Sequence, residues 1–303
     1  MKIFKKIGAL LLASALCFSL GACQKDEVID GSKITNVEFT LEFYDANNNV
    51  IDTRTVAAKL YNNSAPQTVK HITELIKAGY YDNTCVSNAS SSWCEFGAYE
   101  YDAEGNFVKK TYTGTSVSKK YNYDGGIYGE FEKNGFDNQI LSLSAGALVL
   151  VHDTESDGEI SAYNTGKATI AVCFSGTKFT KSEYCVFGQL VKTDAATAPD
   201  DYEEPEDSID RRYMSSYEIF QTVSKLATSK EGEVETQIYY DEANDQIYTT
   251  VTDSAASDVE YYKGYPEENT QLTQDEIDDF NENKSDYIVI PATRVIIKTA
   301  KVK

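Results

Sequence analysis

The stretch Leu60–Thr84, LYNNSAPQTVKHITELIKAGYYDNT, decides how the rest of the chain is read. Val69, Ile72, Leu75 and Ile76 recur at helical spacing and define one apolar face. Ser64 can cap that helix, Pro66 suits its first turn, and Gln67 completes a Ser-x-x-Gln box. Gly79 closes it, because glycine adopts the left-handed conformation that ends helices. His71 falls off the apolar stripe, which predicts a surface or boundary histidine. Upstream, Asn36–Tyr44 (NVEFTLEFY) alternates with a period of two. Asn47–Asn49 is a turn, and Val50–Leu60 (VIDTRTVAAKL) reads as the hairpin partner. Downstream, Cys85-Val86-Ser87-Asn88 predicts a short strand and Trp93–Tyr99 a second.

Further along, three apolar runs read as strands: Gly146–Val151 (GALVLV), Ala168–Phe174 (ATIAVCF) and Cys185–Val191 (CVFGQLV). Lys109–Asn122 is polar and reads as loop, and Asp194–Arg212 is an acidic, proline-containing insertion. Tyr217–Leu226 is helical in period. Glu231–Asp253 predicts an exposed hairpin turning at Asp241–Asp245, whose tyrosines supply the cross-strand aromatic pairs such a hairpin needs or a binding face. Thr273–Glu276 is a capping box that opens a short acidic helix. Ile288–Val302 is strand-like. Many strands separated by about two helices argue for an antiparallel barrel or sandwich with helical plugs. A two-lobed solute-binding protein is disfavoured, since no regular α/β alternation is present.

The N-terminus predicts the compartment. Lys2, Lys5 and Lys6 precede the apolar run Ile7–Leu20, the pattern of a secretory signal rather than a spanning helix. The run ends in Leu20-Gly21-Ala22-Cys23, which resembles the lipobox of bacterial lipoproteins. The expectation is a signal peptide at residues 1–22, lipidation of Cys23, a tether over 23–34, and an extracytoplasmic protein held on a bacterial membrane by its lipid alone. Removing three lysines from 28 basic residues leaves 25 against 48 acidic ones, a net charge near −23. That argues against nucleic acid and against docking on anionic lipid. Of six cysteines, Cys85, Cys94, Cys173 and Cys185 remain beyond the signal and the lipid site. Four cysteines allow three pairings. With His71 and His152 as the only histidines, neither a metal site nor a histidine triad is expected, and no cofactor. Asp153, Glu155, Asp157 and Gly158 have EF-hand-like spacing. The twelfth position is Asn164 rather than glutamate, so a solvated acidic loop is the reading.

Three segments together resemble the cyclophilin family of peptidyl-prolyl isomerases. LYNNSAPQTVKHITELIKAGYYDNT is similar to that family's strand, Ala-Pro-x-Thr-Val helix and Gly-Tyr-Tyr-Asp-Gly-Thr turn. GEFEKNGFDN (129–138) followed by GALVLV resembles its Gly-Glu-Phe and Gly-x-Leu-x-Met-Ala segments. ATIAVCFSGTKFTKSEYCVFGQLV (168–191) resembles its Ser-Gln-Phe-Phe-Ile and Tyr-x-Val-Phe-Gly-x-Val strands. The resemblance implies a mainly β fold: a closed antiparallel eight-stranded barrel with two capping helices. The domain would span 35–303, with insertions at about 193–213 and 228–285. It also implies the chemistry, which is twisting a prolyl amide over a barrier of roughly 20 kcal/mol. The family does so with an arginine that hydrogen-bonds the twisting amide, an orienting glutamine and an apolar proline pocket.

Carried over without a gap, the arginine falls on Asn88 and the glutamine on Phe96. The pocket falls on Trp93, Cys94, Leu150, Thr169 and Ala171, with Phe179 and Thr180 at its mouth; a one-residue slip would put Phe179 in the pocket. Two readings follow: an isomerase of exported polypeptides with weak or lost catalysis, or a non-catalytic peptide- or protein-binding module on the same barrel. The partner would be a proline-containing exported polypeptide or an envelope protein. The implied strand positions make Cys85–Cys94 and Cys173–Cys185 attractive as local disulfides, with buried free thiols as the alternative.

Overall fold

A computed structural model describes residues 33–112, 126–137, 139–153, 163–175, 179–205, 208–266 and 270–303. The expected signal peptide and Cys23 lie outside the described residues, as do positions 154–162 of the EF-hand-like loop.

The hairpin read from the sequence forms as β1 (Ile34–Tyr44) and β2 (Val50–Tyr61), and Asp45 accepts the Asn47 and Asn49 amides at its turn. Val37, Phe39, Leu41 and Phe43 are buried on one face of β1, as the period-two pattern requires. The remaining wall consists of β3 (Thr84–Ser87), β4 (Trp93–Tyr101), β6 (Ala147–Leu150), β7 (Ile170–Cys173), β8 (Cys185–Leu190) and β15 (Val295–Val302), while β5 (Phe107–Lys109) flanks β4. The order is β3-β15-β1-β2-β8-β6-β7-β4, and β4 pairs back onto β3, so eight antiparallel strands close into a barrel. Closure removes the edges that would otherwise template pairing with other chains.

Inside the barrel, Phe96 stands among Phe39, Tyr81 and Phe220, with ring centroids 5.3–5.8 Å away. Phe220 comes from α2 (Ser216–Gln221), which opens on the capping box Ser215–Glu218. The first helix, α1 (Pro66–Lys77), buries Val69, Ile72, Leu75 and Ile76 as expected. Its cap is not the expected one. The N-cap residue is Ala65, without a side-chain bond, and Ser64 Oγ donates to the Val186 carbonyl instead. Glu130 takes over: Oε1 accepts the Gln67 amide at 3.0 Å and Oε2 the Thr68 amide at 2.8 Å. Thr68 and Glu130 are wholly buried, so water does not replace this contact, and one carboxyl group at the positive helix end satisfies two amides. His71 is also a correction. It is 1 % exposed, with Nε2 2.6 Å from the Lys167 carbonyl oxygen.

The Glu231–Asp253 segment does form a hairpin, β10 (Val234–Asp241) with β11 (Gln246–Asp253), but it is not a free one. It lies within a second sheet that also holds β9 (Ser229–Glu231), β12 (Asp258–Lys263), β13 (Thr270–Gln271) and β14 (Ile288–Ile290). Helix α3 (Gln274–Asn283) starts at the predicted box and buries Phe280 among Tyr239, Tyr248, Tyr261 and Tyr287. The tyrosines are therefore largely core. Ile238, Tyr240, Ile288 and Ile290 pack with Cys85, Tyr99 and Phe107 of the barrel wall. The earlier acidic insertion is fixed by Arg211, buried 3.7 Å over the Phe43 ring and bonded to Thr222 Oγ1.

Candidate functional site

Pairing decides which side chains of β4 face outward. Phe96 pairs with Val86 and Ile170, and Cys94 with Val172, all of them members of the barrel core. Trp93 pairs with Cys173, and Glu95 with Ser87 and Ala171, on the outer face. Phe96, Cys94 and Leu150 are thus corrections. The sequence comparison placed them at a binding site, whereas period-two geometry turns them into the barrel. The outward carboxylate beside Asn88 is Glu95, which sequence reasoning passed over. A bulge at Gly97–Ala98 resets the alternation before Tyr99. Gly97 sits at φ +95°, and a Cβ there would lie 2.7 Å from the Ala168 carbonyl oxygen.

The same alternation excludes the two local disulfides. Cys85 faces the second sheet and Cys94 the barrel interior; Cys173 faces outward and Cys185 inward. Neighbouring strands cannot be bridged through the wall between them. Burial pushes the Cys85, Cys94 and Cys185 thiols up, so they stay protonated and inert.

On the outer face, Val149 and Ala171 are wholly buried beneath an aromatic layer. Phe179, only 4 % exposed, meets Trp93 edge-on at 5.9 Å and Tyr184 at 4.8 Å. Tyr184 stacks on His152 at 4.3 Å. Both imidazole nitrogens of His152 lie 2.8 Å from carbonyl oxygens, those of Asp153 and Glu183. The depression over Ala171 is therefore filled by the protein's own Phe179. Thr169 is half-buried and its carbonyl accepts the Val151 amide. Thr180 is exposed and bonds Glu183, so neither joins this layer.

Asn88 has φ +47°, a left-handed conformation that asparagine tolerates better than most residues. Its amide nitrogen donates to Glu95 Oε2 at 2.8 Å, and its oxygen accepts the Val289 amide of β14 at 3.3 Å. The Ala89 amide donates to the Val289 carbonyl at 3.4 Å. The second sheet thus touches the barrel at Asn88, the residue that the resemblance sets against the family's arginine. A further clasp joins them, with Tyr99 and Lys109 both donating to Glu242. Burial works to raise the Glu242 carboxyl, yet these hydrogen bonds outweigh it and hold it below its ordinary value. Between barrel and second sheet is a cavity of about 630 Å³. Its barrel side includes Asn88, Glu95, His152, Asp153, Phe179 and Tyr184; its other side is Glu242 and Ser285–Ile288.

Residues 49–198 match the family described as cyclophilin type peptidyl-prolyl cis-trans isomerase/CLD. No curated protein matches the chain. Among solved structures, it is similar to a cyclophilin type peptidyl-prolyl cis-trans isomerase of Cryptosporidium parvum determined in the presence of the dipeptide Ala-Pro. That match has 19 % identity over 52 % of this chain and 78 % of the other, with a TM-score of 0.31. A cyclophilin from Hirschia baltica matches at 15 % identity over 54 % and 65 % of the respective chains, with a TM-score of 0.30. By its matched residues and its closed eight-stranded barrel, the chain belongs to the cyclophilin-type peptidyl-prolyl cis-trans isomerase family.

Proposed function

We propose that this chain is a lipid-anchored, extracytoplasmic cyclophilin-family protein that binds exported polypeptides and turns over prolyl bonds weakly or not at all. The observation that carries the second half is the state of Asn88. A twisting prolyl amide needs a hydrogen-bond donor where charge develops. Asn88 has no charge, its amide already donates to Glu95, and its oxygen is held by β14. A charge-assisted donor is about twice as strong as a neutral one. Removing a preorganised donor costs about 3 kcal/mol at a transition state, roughly a hundredfold in rate. The filled depression over Ala171 favours the same reading, since a proline ring has no open pocket there. Binding without any turnover is the limiting form of this proposal. The anchor rests on Leu20–Cys23 alone.

A prolyl-tetrapeptide isomerisation assay on the full chain tests it. Wild type is expected within tenfold of the uncatalysed rate. Asn88→Arg alone should not rescue it, because Glu95 takes the guanidinium. Robust wild-type turnover overturns the proposal. The anchor is tested separately: fatty-acid label should enter the protein and be lost in Cys23→Ala.

A further inference from the structure

We propose that the cavity at Arg294 binds a carboxylate carried on a small apolar group, with the guanidinium as its anchor. The cavity measures about 410 Å³, the size of small-ligand pockets, and shares no lining residue with the one at Asn88. Four parts of the chain meet there: the β1–β2 turn at Asp45, the β4–β5 turn at Gly105, β10, and the link from β14 to β15. Pro291 opens that link, because it has no amide proton with which to extend the β14 ladder. Arg294 ends it, and its carbonyl accepts the Tyr44 amide at 3.0 Å. The backbone is thereby fixed while the side chain lines the cavity.

The guanidinium is held in place but not neutralised. It stacks on the Tyr101 ring at 4.0 Å, and Nη2 donates to the Gly105 carbonyl at 2.9 Å. Gly105 uses one of five N–H donors. The chain has four arginines; Arg54 and Arg211 pair with Asp52, and Arg212 with Asp210. Among the described residues no carboxylate lies within 4.0 Å of Arg294. In a chain with 48 acidic and 28 basic residues, an arginine without a carboxylate stands apart. Arg294 is half-buried, and a cation drawn out of water is stabilised most by an anion that joins it there. The planar fork of a guanidinium matches a carboxylate with two parallel bonds.

Two acids line the same cavity without meeting Arg294. Asp45 accepts the Asn47 and Asn49 amides, and Glu104 is exposed to water. Their charges oppose a dianion such as phosphate more than a single carboxylate. Ile238, Ile290 and Pro291 give apolar walls, which suit an apolar stem behind the charge. Tyr265 lines the cavity as well and supplies a second donor. Its hydroxyl is buried, and no acceptor among the described residues takes its proton.

Isothermal titration calorimetry on the full chain compares hydrocinnamate with its amide, which keeps the shape and loses the charge. The acid should bind roughly tenfold tighter. Acetyl-Ala-Phe as free acid and as amide asks the same of a peptide C-terminus. A preference for the acid in either pair supports the site and tells its source, a small free carboxylate or a chain end. Arg294→Gln should abolish the preference. Tyr265→Phe keeps the ring and should roughly halve it, and it decides the matter where Arg294→Gln does not fold. Acid and amide equal in both pairs, no binding of either acid, or a preference unchanged in either variant overturns the proposal. No ligand here contains proline, so the outcome is separate from turnover at Asn88.

Discussion

The two faces of β4 are one residue apart and obey different rules. Inward, Cys94 and Phe96 are wholly buried and serve closure of the barrel. Outward, Trp93 and Glu95 look onto a surface that the family resemblance leads one to expect as catalytic, and that a second sheet partly covers. The inner face is constrained by packing, which tolerates little change in volume. The outer face packs as well, under Phe179 and Tyr184, and it carries Asn88, which the resemblance sets against the family's arginine.

Phe96→Ala is the harshest way to break the inner face. It removes a ring enclosed by Phe39, Tyr81 and Phe220, and should cost about 3–5 kcal/mol. Glu95→Gln, next door on the outer face, keeps the shape and can still accept from Asn88, so chemical denaturation should place it within about 1 kcal/mol of wild type. Equal losses for both would show that the outer face is structural after all.

Gly97→Ala attacks the bulge where the faces are reset. At φ +95°, with a Cβ 2.7 Å from the Ala168 carbonyl and 2.8 Å from the Tyr81 ring, it should lose about 1–3 kcal/mol. Thr273→Ala, in the second sheet's capping box, removes the hydroxyl that donates to Glu276 Oε2 but keeps the backbone amide that does the same, and should lose about 1 kcal/mol, read as a lower thermal midpoint.

These elements also show what was legible. The alternation in β1 and the stripe of α1 were readable because burial repeats with the local period. The Thr273 box was readable because its partners lie three residues apart. The face of Phe96 was not, because β4 enters after a turn that Ser90 Oγ folds by accepting the Ser92 and Trp93 amides, and counting through that turn cannot fix inward from outward. The hairpin at Glu231–Asp253 is legible but reads as exposed, since β14 pairs with β10 from some fifty positions further on and no local pattern announces the pairing. Asn88 could be singled out in the sequence, but Val289, its partner 201 positions later, was invisible.

The subtlest contrast is between two buried carboxylates. Glu95 faces the outer cavity, whereas Glu130 caps α1 and is wholly buried. Burial raises the Glu130 carboxyl above its ordinary 4.5, and the Gln67 and Thr68 amides pull it back only in part. A carboxyl raised on folding binds more protons folded than unfolded between the two values, so its contribution to stability is present at low pH and lost as pH rises through the raised value. Wild type should therefore lose stability relative to Glu130→Gln on going from about pH 4 to pH 7, and the difference should then level off. Denaturant midpoints of the two proteins across that range measure it. A wild type that gains on the glutamine variant would mean that the two helix amides outweigh burial, and that α1 is held by a true anion at its N-terminus.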